Sequence, residues 1–71
     1  MDEQIVKELN ENEITFLQLS CTEMTYKEIA EKMFLSARMI DGYRDALFEK
    51  LNVKSRVGLV LFAIKTNIVN V

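Results

Sequence analysis

Lys27, Arg38, Arg44, Lys50, Lys54 and Arg56 punctuate the centre of this chain, and the acids Asp41, Asp45 and Glu49 fall four residues apart among them. Such cations make charge-assisted hydrogen bonds to anionic oxygens. The acids can accept hydrogen bonds from amino groups or hold a neighbouring arginine in a fixed pose. Catalytic chemistry has far less to work with. The chain has no histidine and a single cysteine, Cys21, so His-dependent acid–base and triad mechanisms are excluded. The usual zinc sites cannot be assembled within one chain either. No cofactor, metal site or enzymatic activity is expected. Cys21 cannot form an internal disulfide, which fits a reducing compartment, the cytoplasm. The charge is polarised. Residues 1–31 hold two basic and eight acidic side chains, residues 32–71 hold seven basic and three acidic, and the net charge is −2. A chain of this kind can meet a polyanion with one face while staying acidic overall.

The elements that must position these residues are helical. At 71 residues, 49% hydrophobic and 28% charged, with no proline and glycine only at 42 and 58, the chain has the make-up of one small helical domain. Asn10 stands three before Glu13 and Thr25 three before Glu28, both capping-box spacings; Ser36 and Ser55 are further N-caps. Helices are predicted over about 11–21, 26–33, 37–51 and 56–66. The first offers Ile14, Phe16, Leu17 and Cys21 to a core, the second Ile29, Ala30 and Met33. The third offers Ile40, Tyr43, Leu47 and Leu51, a regular three-and-four stripe. The fourth turns Val57, Val60, Ala63 and Ile64 inward, with Leu61 and Phe62 left over. Met24 and Phe34 are also assigned to the core. Residues 1–8 read as a linker or frayed helix, 9–68 as the domain and 69–71 as a tail. The start, "MDEQIVKELNENE", lacks the basic flank and apolar run of a signal peptide, and "VGLVLFAI" (57–64) is too short to span a bilayer. The architecture expected is all-α, a four-helix bundle in which the second and third helices meet across the short link "FLS" as a helix-turn-helix. Periodicity alone would also suit an arbitrary helical bundle.

The segment "TYKEIAEKMFLSARMIDGYRDALFEKLNVKSR" (25–56) resembles the LuxR/FixJ/NarL-type helix-turn-helix, the DNA-binding effector domain of bacterial response regulators. The likeness rests on "KEIA" at 27–30, Ser36, Ile40, Arg44, "KL" at 50–51, Val53 and "SR" at 55–56. "LNENEITFL" (9–17) resembles the family's opening helix. Sigma-factor region 4 shares "YKEIA", but the "LNVKSR" join into another apolar helix favours the response-regulator type. The resemblance implies sequence-specific binding of double-stranded DNA and transcriptional control, usually under an upstream receiver domain. No receiver domain is seen in this chain, which is expected to be either an excised effector domain or a stand-alone reader, its short acidic start suggesting excision. It further implies that the third helix reads the major groove and that the fourth pairs two protomers into a homodimer on DNA. Departures are visible. The family often has Thr at the position of Met39, Lys or Arg near Asp41, His near Tyr43, and Gly at the positions of Glu23 and Asn67. Asn67 can still take the left-handed helix-ending conformation; Glu23 does so less readily.

With Ile40, Tyr43, Leu47 and Leu51 packed inward, Arg38, Asp41, Gly42, Asp45 and Glu49 point outward. By resemblance, positions 41, 42 and 45 carry base contacts. Asp41 either accepts from a cytosine amino group, holds Arg38 or Arg44, or joins Asp45 and Glu49 in a solvated face. Gly42 either marks a close approach to a base edge or thymine methyl or is tolerated. Thr25, Tyr26 and Lys27 are expected on the DNA backbone, Arg38 and Arg44 on a base or phosphate, with Met39 and Lys54 completing the candidate interface. Arg56 is alternatively reserved for a structural ion pair. Tyr43 is expected to pack rather than stack on DNA. Val57, Leu61, Ile64 and Ile68 supply a dimer patch or enter the domain's own core. The rival function is an acidic protein-interaction module on a helix-turn-helix scaffold that no longer reads DNA.

Overall fold

The computed structural model of the chain describes residues 2–70. They form five helices: α1 (Asp2–Lys7), α2 (Glu11–Ser20), α3 (Tyr26–Met33), α4 (Ala37–Lys50) and α5 (Arg56–Lys65). The last four correspond to the predicted helices, and their starts are fixed as the sequence indicates. The Asn10 carboxamide oxygen accepts from the Glu13 N–H at 2.8 Å, and the Glu13 carboxylate accepts from the Asn10 N–H at 3.0 Å. Thr25 and Glu28 make the same reciprocal pair at 3.1 and 2.8 Å. The Ser36 and Ser55 hydroxyls accept from the Met39 and Gly58 N–H groups. Each cap satisfies donors that a helix leaves free in its first turn.

Residues 2–7, part of the segment read from sequence as a linker or frayed helix, form α1. Ile5 and Val6 pack on the core, and the Asp2 carboxylate meets the Lys65 ammonium at 2.7 Å. Met1 and Val71 lie outside the described residues.

The ends of α3, α4 and α5 share one device. Phe34, Asn52 and Asn67 have φ of 58°, 55° and 63°, in the left-handed region. After each, a backbone N–H reaches five residues back: Leu35 to the Ala30 carbonyl, Val53 to Phe48 and Ile68 to Ala63, at 2.9–3.0 Å. These 6→1 bonds are Schellman closures, which satisfy orphan carbonyls while turning the chain sharply. Asn67 thus adopts the conformation expected of it. Phe34 departs from expectation: assigned to the core, it is 94% exposed. The left-handed turn that closes α3 swings its side chain off the apolar face, whereas the next residue, Leu35, packs on the core.

The core is built from Leu9, Phe16, Leu17, Ile29, Ala30, Ile40, Leu47, Leu51, Leu59, Phe62 and Ala63. α2 packs against α3, α4 and α5, and α3 packs on α4. The α4 stripe is as predicted, with Ile40, Leu47 and Leu51 buried and Tyr43 half-buried. On α5 the face is rotated. Leu59, Phe62 and Ala63 are buried, while Val57 and Ile64, predicted inward, are exposed together with Leu61. α5 is apolar almost all round, so periodicity could not choose its inner face. Gly58 contributes to the choice: a Cβ there would lie 2.7 Å from the Val53 Cβ, so only glycine allows α5 to start this close to the preceding loop.

Polar links between helices include one with a buried partner and one that closes a helix end. Glu13, buried at 3% exposure, receives the Lys50 ammonium at 2.7 Å. Arg56 donates from Nε to the Ser20 carbonyl and from a terminal nitrogen to the Thr22 carbonyl, both at 2.9 Å. Its guanidinium therefore closes the C-terminal end of α2, where no left-handed residue does so. Arg56 serves structure, as its alternative assignment held, through carbonyls rather than an ion pair.

Candidate nucleic-acid interface

α3 and α4 are joined across Phe34 and Leu35, with Ser36 already capping α4. The Schellman turn and the Ser36 cap together fix this corner, and the burial of Ile29, Ala30, Ile40 and Leu47 locks the two helices onto one core. α4, at 14 residues, is the longest helix and presents the opposite face to solvent. Arg38, Met39, Asp41, Gly42, Asp45 and Glu49 are all exposed on it. None of the described residues covers the side that the sequence assigned to reading.

The acids on this face are organised. Arg44, half-buried, donates from Nε to Asp45 Oδ1 at 3.0 Å and from a terminal nitrogen to Asp41 Oδ1 at 3.2 Å. The hydrogen bond to Asp45 is the largest influence raising the Arg44 pKa further, so its charge is secure. Asp41 therefore does hold an arginine in a fixed pose, and the arginine is Arg44 rather than Arg38. The guanidinium also lies over the Tyr26 ring, 5.7 Å from its centroid, and Arg56 sits 5.1 Å from the same ring. Tyr26 stacks on Phe16 at 5.9 Å, which in turn faces Tyr43 at 6.4 Å. Aromatic stacking and cation–π attraction each contribute roughly 0.5–1.5 kcal/mol in such settings. The Tyr26 ring, a candidate contact, is thus committed to packing. Tyr43 packs as expected, and its hydroxyl accepts from the Asn12 carboxamide at 3.1 Å.

The cations divide into two groups. Arg44, Lys50 and Arg56 are spent on partners inside the domain. Lys27, Arg38 and Lys54 are exposed and have no ion-pair partner among the described residues. Lys27 lies in the first turn of α3 beside the exposed Thr25. Arg38 stands in the first turn of α4, and Lys54 in the loop before α5. Lys50 is the role that sequence reasoning missed. Its partner Glu13 lies 37 residues away, and the spacing of neither residue signals the pair.

Val57, Leu61 and Ile64, spaced to share a helix face, form an exposed apolar strip on α5. Ile68, the fourth residue of that candidate patch, packs on the core instead. Cys21 behaves as a small apolar residue: its thiol donates to the Leu17 carbonyl, and burial pushes its pKa up against the pull of Arg56.

A short and a long helix meeting at a tight, capped corner, with the long helix wet along its outer side, define a helix-turn-helix domain. The chain belongs to the LuxR family of bacterial regulatory proteins, which it matches over residues 7–63. It is 37% identical over 67 residues to the virulence-factor transcription regulator BvgA of Bordetella pertussis, covering 94% of this chain and 32% of that protein. It is 34% identical over 67 residues to the DNA-binding transcriptional activator EvgA of Escherichia coli K12, covering 94% of this chain and 33% of EvgA. Against the oxygen regulatory protein NreC of Staphylococcus carnosus it is 34% identical over 62 residues, 87% of this chain and 29% of NreC. The chain thus spans about a third of the length of the curated relatives it matches. No solved structure matches it. Among the described residues, no helix is long and apolar enough to cross a membrane.

Proposed function

We propose that this domain binds double-stranded DNA sequence-specifically through α4 in the major groove, as the output domain of a two-component response regulator that controls transcription in the bacterial cytoplasm. The exposed outer face of α4, flanked by Lys27, Arg38 and Lys54, which are exposed and have no ion-pair partner among the described residues, carries this reading. Its mechanism is docking, with no catalytic step, metal or cofactor. Lys27, Arg38 and Lys54 meet phosphates, with the Thr25 and Tyr26 hydroxyls beside them, and set register without reading sequence. Met39, Asp41, Gly42 and Asp45 face the base edges. Arg44 acts chiefly by holding Asp41 and Asp45 in position. The upstream receiver domain is the partner that the curated relatives' greater length leaves room for. Val57, Leu61 and Ile64 pair two copies, which places half-sites about one helical turn, roughly 34 Å, apart.

The test is selection of bound sequences from random duplex DNA by the domain. Enrichment of one short motif is expected, repeated at one-turn spacing if two copies bind together. The rival reading, an acidic interaction module, draws on the exposure of Asp41, Asp45 and Glu49. It requires that the domain retain no duplex at any salt concentration, and that result would refute the proposal.

A further inference from the structure

Gly42 is a glycine that the domain itself does not need. It sits in the middle of α4, where glycine disfavours the helix by roughly fivefold relative to alanine. Its φ is not positive, so the backbone does not require it. A Cβ built there meets nothing within 4 Å, so packing does not require it either. Gly58 is the contrast, since Val53 fills the space that its Cβ would take.

What the glycine does create is a notch on the outer face. Met39, three residues before, and Ala46, four after, lie on the same strip of the helix. Met39 is 47% exposed and Ala46 half-buried, so two apolar side chains border the gap. Asp41 and Asp45 flank it. Arg44 engages the Oδ1 of each, and both side chains remain exposed. Their charge repels phosphates, so this part of α4 suits the groove floor rather than its walls. Among the groups that bases display in the major groove, the thymine C5-methyl is the apolar one.

We propose that the Met39–Gly42–Ala46 notch seats a thymine methyl group and that Gly42 is a specificity-determining residue by virtue of having no side chain. The inference rests on the reading of α4 as the DNA-facing helix.

The experiment uses duplexes selected by the wild-type chain, with each thymine replaced in turn by deoxyuridine, which lacks the methyl. Affinity is read by fluorescence anisotropy for the wild type and Gly42→Ala, and Tm is read by circular dichroism for both. At one thymine per half-site, loss of the methyl should weaken wild-type binding about fourfold. Gly42→Ala should raise Tm by about 4–8 °C while weakening binding to the selected duplex about fivefold or more, as expected when a well-packed contact is overfilled. In that variant the deoxyuridine penalty should disappear. The proposal is overturned if no thymine is sensitive, or if Gly42→Ala keeps both the affinity and the penalty. Failure of the wild type to bind any duplex overturns the DNA-binding reading as well, and so is distinct from failure of the notch alone.

Discussion

Replacing Lys50 by methionine isolates the link between α2 and α4. Methionine keeps much of the apolar stem and removes the ammonium. Glu13 is 3% exposed, and its two carboxylate oxygens accept from the Asn10 N–H at 3.0 Å and from Lys50 at 2.7 Å. Without Lys50, one buried oxygen loses a charged partner. Breaking a fully buried pair costs about 3–5 kcal/mol, and a hydrogen bond to a charged group contributes about 1.5–3 kcal/mol. Lys50 itself is exposed, so water can reach its side of the pair, and a loss of about 2 kcal/mol is expected at pH 7. For a chain of this length total stability is roughly 4–10 kcal/mol, and Tm should fall by about 8–16 °C. The pH dependence sharpens the test. Burial raises the Glu13 pKa, but the Lys50 hydrogen bond, the Asn10 N–H and the Lys50 charge together bring it below the ordinary carboxylate value. The wild-type contribution is therefore complete above the unfolded pKa of about 4.3 and is lost as pH falls through the lowered folded value. In the variant, burial is opposed by the Asn10 N–H alone, and the folded pKa rises above the unfolded one. Its penalty is then complete above that raised value and disappears as pH falls below the unfolded one. Urea unfolding of both proteins between pH 7 and 3 should show the stability gap widest at pH 7, beginning to narrow as pH falls through the variant's raised Glu13 value and still shrinking below the unfolded value of about 4.3. A gap that stays constant with pH, or one under about 0.5 kcal/mol at pH 7, would refute the assignment of Lys50 as the charged partner that the buried Glu13 depends on.

Other outcomes follow from the helix ends. Phe34→Gly relieves a bulky residue held in left-handed backbone at 94% exposure; it should gain about 1 kcal/mol, read as a rise in Tm. Arg56→Ala strips the Ser20 and Thr22 carbonyls of their donor and removes the cation over Tyr26. It should cost about 2 kcal/mol, with earlier hydrogen exchange at the end of α2. Leu61→Lys, on the exposed strip of α5, should leave Tm nearly unchanged and weaken cooperative binding to a two-half-site duplex, seen by gel shift against a single half-site.

Local signals carried most of the architecture. Asn10, Thr25, Ser36 and Ser55 announced four helix starts because an N-cap is written within four residues of its partner. The α4 stripe was legible because polar residues separate its apolar ones. The N-terminal segment was not, since Ile5 and Val6 alone do not define a period. α5 failed in the opposite way: apolar on every side, it has no pattern from which to read an inner face. Phe34 shows the limit of hydrophobicity, because its position in a left-handed turn, not its side chain, decides where it points. In the candidate interface, the outward set Arg38, Asp41, Gly42, Asp45 and Glu49 followed from the stripe. The sorting of cations into those spent and those free did not. Lys50–Glu13 and Arg56–Ser20 join residues 37 and 36 apart, and only the folded chain brings them together.

The most direct measurement is duplex affinity as a function of salt, for the wild type and for Lys27→Ala and Arg38→Ala. Binding through several phosphate contacts should weaken steeply, with a slope of log K against log salt of about −0.9 per contact. Each substitution should flatten that slope by about 1 while leaving Tm unchanged. A flat salt dependence, or slopes that neither substitution alters, would contradict the placement of α4 in a DNA groove.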